Sequence, residues 1–358
     1  MKADAAGVSF SALGEETVWA VVDSGIDEEH PHFKLHGNCV EDPSLRHRDF
    51  TVVGDAPEQP LEDEYGHGTH VAGIIAGELE GTEQEPLYGV TRYRDKDGEV
   101  AHQLEELPRM AGMAPRCRLL SLKVLDKDGK GVASNIISAL QYVGELNGFG
   151  RRLRVHGVNI SVGYNFEPEW FACGQSPLCI EVDQLVRTGV VVVVAAGNTG
   201  YGYVQSADRG ATPAGLGLTI NDPGNADGAI TVGSTHRDMP HVYGVSYFSS
   251  KGPTGDGRDK PDLVAPGEKI LSAAAGQRLD KAAERVEKVP QYVEDSGTSM
   301  AAPHVSGVIA AFLSVRSEFI GRPERVKEIF VEAATDLRRN RAFQGNGLVD
   351  VMRAIQSV

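Results

Sequence analysis

Short apolar runs rich in β-branched residues alternate along this chain with longer stretches whose apolar positions recur every three or four residues. Thr17–Val22 reads as a buried strand ending in Asp23-Ser24-Gly25. Cys117–Leu125, Val155–Val162 and Val190–Ala195 read the same way, the last ending in Gly197-Asn198. Ala229–Ser234 and Asp262–Ala265 add shorter strands. Helical periodicity marks a segment opened by His67, then Val132–Val143, Ile180–Val186, Arg325–Thr335 and Asp350–Ile355. Val305, Val308, Ile309, Phe312 and Leu313 fall on one face of a further helix. Strands alternating with helices long enough for crossovers predict an α/β fold: a doubly wound, mostly parallel sheet with helices on both faces.

Two stretches break the alternation. Residues 27–64 are polar and punctuated by Pro31, Pro43, Pro57 and Pro60, and read as surface loops. Residues 78–111 are charged and irregular, with a β-hairpin over Tyr88–Gln103 turning at Asp95–Gly98. With no internal repeat and no low-complexity linker, the 358 residues count as one domain.

Charge narrows the partners. A formal net charge of −15 disfavours nucleic acid, whose phosphates need a basic face. The longest apolar run, Gly189–Ala196, has the length of a buried strand, so no membrane span is expected. The first residues lack the apolar core of a secretory leader; the chain reads as cytoplasmic if full-length, or secreted if trimmed. Of the four cysteines, Cys173 and Cys179 could close a local disulfide, and four reduced thiols fit equally well. Their spacing, with Cys39 and Cys117 remote, argues against a zinc site.

The chemistry converges on the ends of elements. Ser299, between Gly297-Thr298 and a helical run, reads either as an N-cap or as a nucleophile at the positive end of a helix. If it caps, Pro303 falls in the first turn, where a missing N–H costs little. A serine nucleophile needs a base, and the base a carboxylate to hold its tautomer. His67 and Asp23 supply these types, and Asn198, after a buried strand and a glycine, can donate to an oxyanion together with the Ser299 N–H. His67 and His70 have the spacing of a metal pair, but the triad context makes His70 structural.

Asp23-Ser-Gly25, His67-Gly-Thr-His-Val-Ala-Gly73, Ala196-Gly-Asn198 and Gly297-Thr-Ser-Met-Ala-Ala-Pro-His304 resemble, in order, the signature blocks of subtilisin-like serine proteases. Gly112–Pro115, Leu122–Leu125, Asn159–Gly163, Tyr247–Ser250 and Lys260–Gly267 match too, so the likeness runs from about residue 17 to 357. The resemblance implies an endopeptidase with catalytic Asp23, His67 and Ser299 and an oxyanion hole of Asn198 and Ser299. It implies that substrate binds as an extended strand between Ser161, Val162 and Gly163 and an outer strand of Gly129, Lys130 and Gly131. Ala195, Ala196 and Gly197 match the opposite wall of the S1 pocket, with Asn221 or Asp222 at its base, biasing P1 towards polar or basic side chains.

Departures from the family pattern are equally specific. His32 follows the His30-Pro31 pair where members with the strong calcium site carry an aspartate, which puts that high-affinity site in doubt; no cofactor is required for the chemistry, structural calcium stays open, and the Asp-rich turns 95–98 and 126–129 read as solvated turns before they read as calcium loops. Residues 1–16 form an N-terminal extension, and 78–111 and 164–180 are insertions, the second a surface excursion or a cover over S1. Acidic loops at Glu62–Glu64 and Asp27–Glu29 would favour basic substrates or merely be solvated. Two rivals accompany this reading: a peptide ligase or macrocyclase on the same fold, and a catalytically silent module that grips peptides.

Overall fold

Trp19 lies flat over Gly157 of the neighbouring strand; a Cβ there would come within 2.2 Å of the indole, so the pairing demands glycine. Around this contact the computed structural model, which describes residues 1–39, 42–52, 54, 57–206 and 210–358, builds its principal sheet.

The strands in chain order are β1 (Val18–Asp23), β2 (Arg48–Asp49), β3 (Glu78–Glu80), β4 (Leu87–Arg94) and β5 (Val100–Leu107). There follow β6 (Arg109–Ala111), β7 (Arg118–Lys123), β8 (Gly157–Ile160), β9 (Val191–Ala195) and β10 (Tyr201–Ser206). The last are β11 (Gly210–Gly215), β12 (Ile230–His236), β13 (Leu263–Glu268), β14 (Ile270–Ala273) and β15 (Tyr292–Asp295). The helices are α1 (Ala3–Phe10), α2 (His67–Ile75), α3 (Ala133–Leu146), α4 (Pro177–Arg187) and α5 (Pro240–Tyr243). α6 (Gly276–Ala283), α7 (Thr298–Val315), α8 (Pro323–Ala333), α9 (Arg341–Gln344) and α10 (Val351–Gln356) complete them.

Seven strands pair in the order β13-β12-β9-β8-β1-β7-β2, every pair parallel. From β1 the chain runs to the edge strand β2, returns to β7 beside β1, then crosses to β8 on the other side of β1 and proceeds outward through β9, β12 and β13. Asp23 therefore ends the strand at which winding reverses, where doubly wound sheets place their ligands. Side-chain alternation sorts β1 between two cores. Trp19 and Val21 join the cluster of α2 and α7, whereas Val18, Ala20 and Val22 join that of α3 and α4. The expected doubly wound α/β architecture is what folds.

The 27–64 stretch carries little regular structure beyond a 3-10 turn at Pro31–Phe33 and β2; its residues 40–41, 53 and 55–56 lie outside those described. The predicted hairpin is β4–β5, joined to β15 and β14 in a second sheet of order β14-β15-β4-β5. α1 packs against α7 and α10, with Gly14 N donating to Ser314 Oγ at the end of α7 remote from Ser299. α7 has the length and mean hydropathy (1.4) of a membrane-crossing helix, but 83% of it is buried within the protein as the central core helix.

Candidate active site

Asp23 is fully buried at the carboxyl end of β1. Its Oδ1 accepts from Ser24 N (2.9 Å) and lies 2.7 Å from His67 Nδ1. A carboxylate at that distance holds the ring proton on Nδ1 and leaves Nε2 free as a base. His67 is the first residue of α2, and the local sequence compels the start there. Gly66 has φ +86°, and a Cβ on it would fall 2.1 Å from Ala275 O. Asp63 anchors the turn: Oδ1 accepts from Gly66 N (2.7 Å) and Ser24 Oγ (2.8 Å), and Oδ2 from Thr69 N (2.8 Å) and Thr69 Oγ1 (2.7 Å). Ser24 Oγ in turn accepts from Gly68 N (2.9 Å). A carboxylate at the positive end of α2 thus ties Asp23's neighbour to His67's neighbours. Burial pushes the Asp63 pKa up, against the lowering effect of these hydrogen bonds. Asp63 is only 5% exposed, so it leaves the acidic surface to which Glu62–Glu64 were assigned, while Glu62 and Glu64 stay on it.

Ser299 does not cap its helix. The N-cap is Gly297, and Ser299 lies in the first turn of α7. Pro303 consequently sits inside the helix, where its absent N–H would have bonded to Ser299 O. Ser161 Oγ takes that carbonyl instead (2.9 Å), and Ser299 Oγ donates back to Ser161 O (2.9 Å). Ser161 is oriented by Asn159 Nδ2 (2.9 Å), and Asn159 Oδ1 accepts from Ser306 Oγ on α7 (2.9 Å). The single hydroxyl proton of Ser299 therefore points to Ser161 in this structure, not to His67.

Asn198 is steered by Thr298, the residue before Ser299. Its Oδ1 accepts from Thr298 N (2.9 Å) and Thr298 Oγ1 (3.1 Å), while Thr298 Oγ1 accepts from Gly197 N (3.1 Å). A backbone N–H needs an acceptor, so this network assigns Oδ1 inward and leaves Nδ2 for the cleft.

His67, Ser161, Val162, Gly163, Ala195, Gly197, Asn198 and Ser299 all line one cleft of about 400 Å³. Ala196 stands behind it, fully buried, with its N–H on Val232 O and its carbonyl on Asn221 N. Gly129 lines the cleft against Tyr65, whose ring leaves no room for a Cβ (2.4 Å). Lys130 and Gly131 are exposed beyond it, and residues 129–131 form no strand in this structure. At the base, Asn221 reaches the cleft and Asp222 does not: Asp222 is buried, Oδ1 accepting from Asn225 Nδ2 (2.8 Å). No described residue of 164–180 lines the cleft; the insertion runs over the surface through residues 165–172, with Trp170 75% exposed, and then enters the core at Leu178 and Cys179 of α4. The charged side chain the sequence did not place here is Arg278 of α6, stacked 5.4 Å from the Tyr65 ring centroid.

The remaining candidates have other occupations. His70 hydrogen-bonds Val293 O (3.0 Å), burial lowering its pKa to about 3. His32 packs under the end of α2, Nε2 near Gly73 O (3.2 Å) and Ala76 O (3.1 Å) and Nδ1 on Tyr292 Oη (3.0 Å); burial lowers its pKa to about 4. Asp95 and Asp126 each accept two backbone N–H groups within their own turns. All four cysteines are free thiols, so no Cys173–Cys179 disulfide forms.

Comparison with known proteins bears on this arrangement. The family model for subtilases, peptidase family S8, matches residues 14–348. The chain is 30% identical over 325 residues to the serine protease AprX of Bacillus subtilis, covering 88% of this chain and 60% of that protein. It is 30% identical over 340 residues to pyrolysin of Pyrococcus furiosus, covering 82% of this chain and 21% of the relative. To subtilisin E of Bacillus subtilis it is 28% identical over 343 residues, 96% of this chain and 66% of that protein. The chain thus spans less than two thirds of the length of each of these relatives. The solved structure of the prenylagaramide maturation protease PagA superposes with a TM-score of 0.64 at 21% identity, covering 99% of this chain and 97% of that one, a likeness of fold.

Proposed function

The chain belongs to the subtilase family, and on that premise we propose that it is a serine endopeptidase acting through a covalent acyl-enzyme. The observation that carries the reading is the buried Asp23–His67 hydrogen bond of 2.7 Å at the edge of a cleft that also holds Ser299 and Asn198. Ser299 rotates away from Ser161 O, His67 Nε2 takes its proton, and Oγ attacks the peptide carbonyl. Asn198 Nδ2 and the Ser299 N–H, at the start of α7, hold the oxyanion. His67 then protonates the leaving amine and activates the water that releases the acyl group, while Asp23 stabilises the imidazolium. Ser161–Gly163 and Gly129–Gly131 grip the substrate as an added strand.

A fluorophosphonate probe and a diverse peptide pool test the reading together. The parent chain labels at Ser299 and cleaves; Ser299→Ala keeps its far-UV circular dichroism and loses both. Turnover by the alanine variant, or a parent that neither labels nor cleaves, would overturn it.

A further inference from the structure

The 78–111 insertion brings its hairpin against the strand that leads into the nucleophile: β4 pairs in parallel with β15 at Tyr292↔Gly89 and Val293↔Val90. α6 packs on the same strand. Between them lies a cavity of about 300 Å³ whose lining includes Tyr65, Arg92, His102, Arg278, Lys281 and Asp295. Tyr65 and Arg278 also line the catalytic cleft, so the two spaces adjoin. The cavity includes none of the wall Ser161–Gly163 or of Ala195–Gly197, which face the acyl half of a substrate. It is built instead around Glu294 and Asp295, immediately before the turn that carries Ser299, and apart from both of those walls.

Its charge runs opposite to the molecule's. Against a net charge of −15, three permanent cations (Arg92, Arg278, Lys281) meet two carboxylates (Glu294, Asp295) here. Arg278 is engaged by Asp295 Oδ2. Arg92 makes only long ion pairs, 3.7 Å to Glu294 and 3.8 Å to Asp295, which leave its N–H groups without a hydrogen bond to either, and Lys281 has no ion pair among the described residues. Each guanidinium carries about five N–H donors, so the cavity presents more donors than its own acceptors use. That surplus suits a carboxylate, which a planar guanidinium can receive with two parallel bonds.

We propose that this cavity is a specificity site for an acidic side chain in the first two residues beyond the scissile bond, received by Arg92 and Lys281 with Arg278 fixed behind them by Asp295. The inference rests on the endopeptidase reading. Fluorogenic peptides identical except for Glu, Gln or Lys at those two positions test it on the full chain. Parent kcat/KM falls in the order Glu, Gln, Lys, with a Glu-to-Lys ratio of roughly five- to tenfold that shrinks as salt is added. Arg92→Glu combined with Lys281→Glu inverts the order; should the double variant fail to fold, Lys281→Glu alone, at an exposed position, lowers the ratio. An order unchanged in the variants, a parent preference for Lys, or an acidic preference confined to the acyl side overturns the proposal. Fluorophosphonate labelling at Ser299 separates the failures. A labelled, cleaving enzyme without the preference sinks the site alone, and a chain that neither labels nor cleaves any peptide sinks the endopeptidase reading and the site with it.

Discussion

Ser161 and Ser299 exchange hydrogen bonds of 2.9 Å, each hydroxyl donating to the other's carbonyl. One of the two exists because Pro303 cannot supply the helical N–H that Ser299 O would otherwise accept. Ser161→Ala should therefore cost about 1–2 kcal/mol of stability by leaving a part-buried carbonyl unsatisfied. Adding Pro303→Ala restores a donor, so the double variant should lose less than the sum of the singles, by about 1 kcal/mol in urea unfolding. Strict additivity would refute the link.

Thr298 should matter through Asn198. Removing the amide with Asn198→Ala should lower kcat by about two to three orders of magnitude with little change in KM. Thr298→Val keeps the backbone N–H but deletes the hydroxyl that also holds Asn198 Oδ1, and a loss of roughly tenfold in kcat is expected. Steady-state kinetics at parent level for Thr298→Val would show that the backbone bond steers the amide alone.

Asp63 receives four donors from two elements. Asp63→Asn presents an NH₂ group to some of those donors, and should destabilise the chain by about 2–4 kcal/mol in chemical denaturation while lowering kcat. Glu62→Gln and Glu64→Gln, on exposed neighbours, should change stability by less than about 0.5 kcal/mol. Equal effects at all three positions would return Asp63 to the surface.

Buried histidines set an acid limit. Burial lowers the pKa of His32 and His304 from the ordinary 6.5 to about 4, and that of His70 to about 3. The unfolded chain binds a proton near pH 6.5 that the folded chain refuses. Their contribution is therefore complete above that pH and is lost as pH falls from 6.5 towards 4, at about 1.4 kcal/mol per unit for each histidine. Urea unfolding free energies should be nearly flat above about pH 7 and fall by several kcal/mol by about pH 4.5. His32→Gln should flatten the slope, and constant stability between about pH 7 and 5 would contradict the linkage.

What the sequence made legible follows from physical periodicity. Val191–Ala195, apolar on both faces, can only be a covered parallel strand, and Asp23 and His67 stand out as polar residues at the ends of apolar runs. Asp63 was hidden because it sits between two glutamates and its partners Thr69 and Ser24 become neighbours only when β1 and α2 meet. Ser299 reads as a cap because Gly-Thr-Ser offers three starts, and only its place behind Gly297 puts Pro303 opposite its carbonyl. Arg278 lay in a segment without clear periodicity, whose helix α6 is short and mostly polar and is held by β15 rather than by its own pattern. α1 was likewise missed, being fixed by contact with α7 and α10.

The chain has two tryptophans, and the fold sends them to opposite environments. Trp19, wholly enclosed over Gly157, has no hydrogen-bond partner for its indole N–H among the described residues, whereas Trp170 stands in solvent on the 164–180 excursion. Intrinsic fluorescence consequently resolves into a short-wavelength emitter that reports loss of the sheet and a long-wavelength emitter that acrylamide quenches in the native protein. Light alone can then distinguish unfolding of the interior from anything that settles on that surface loop.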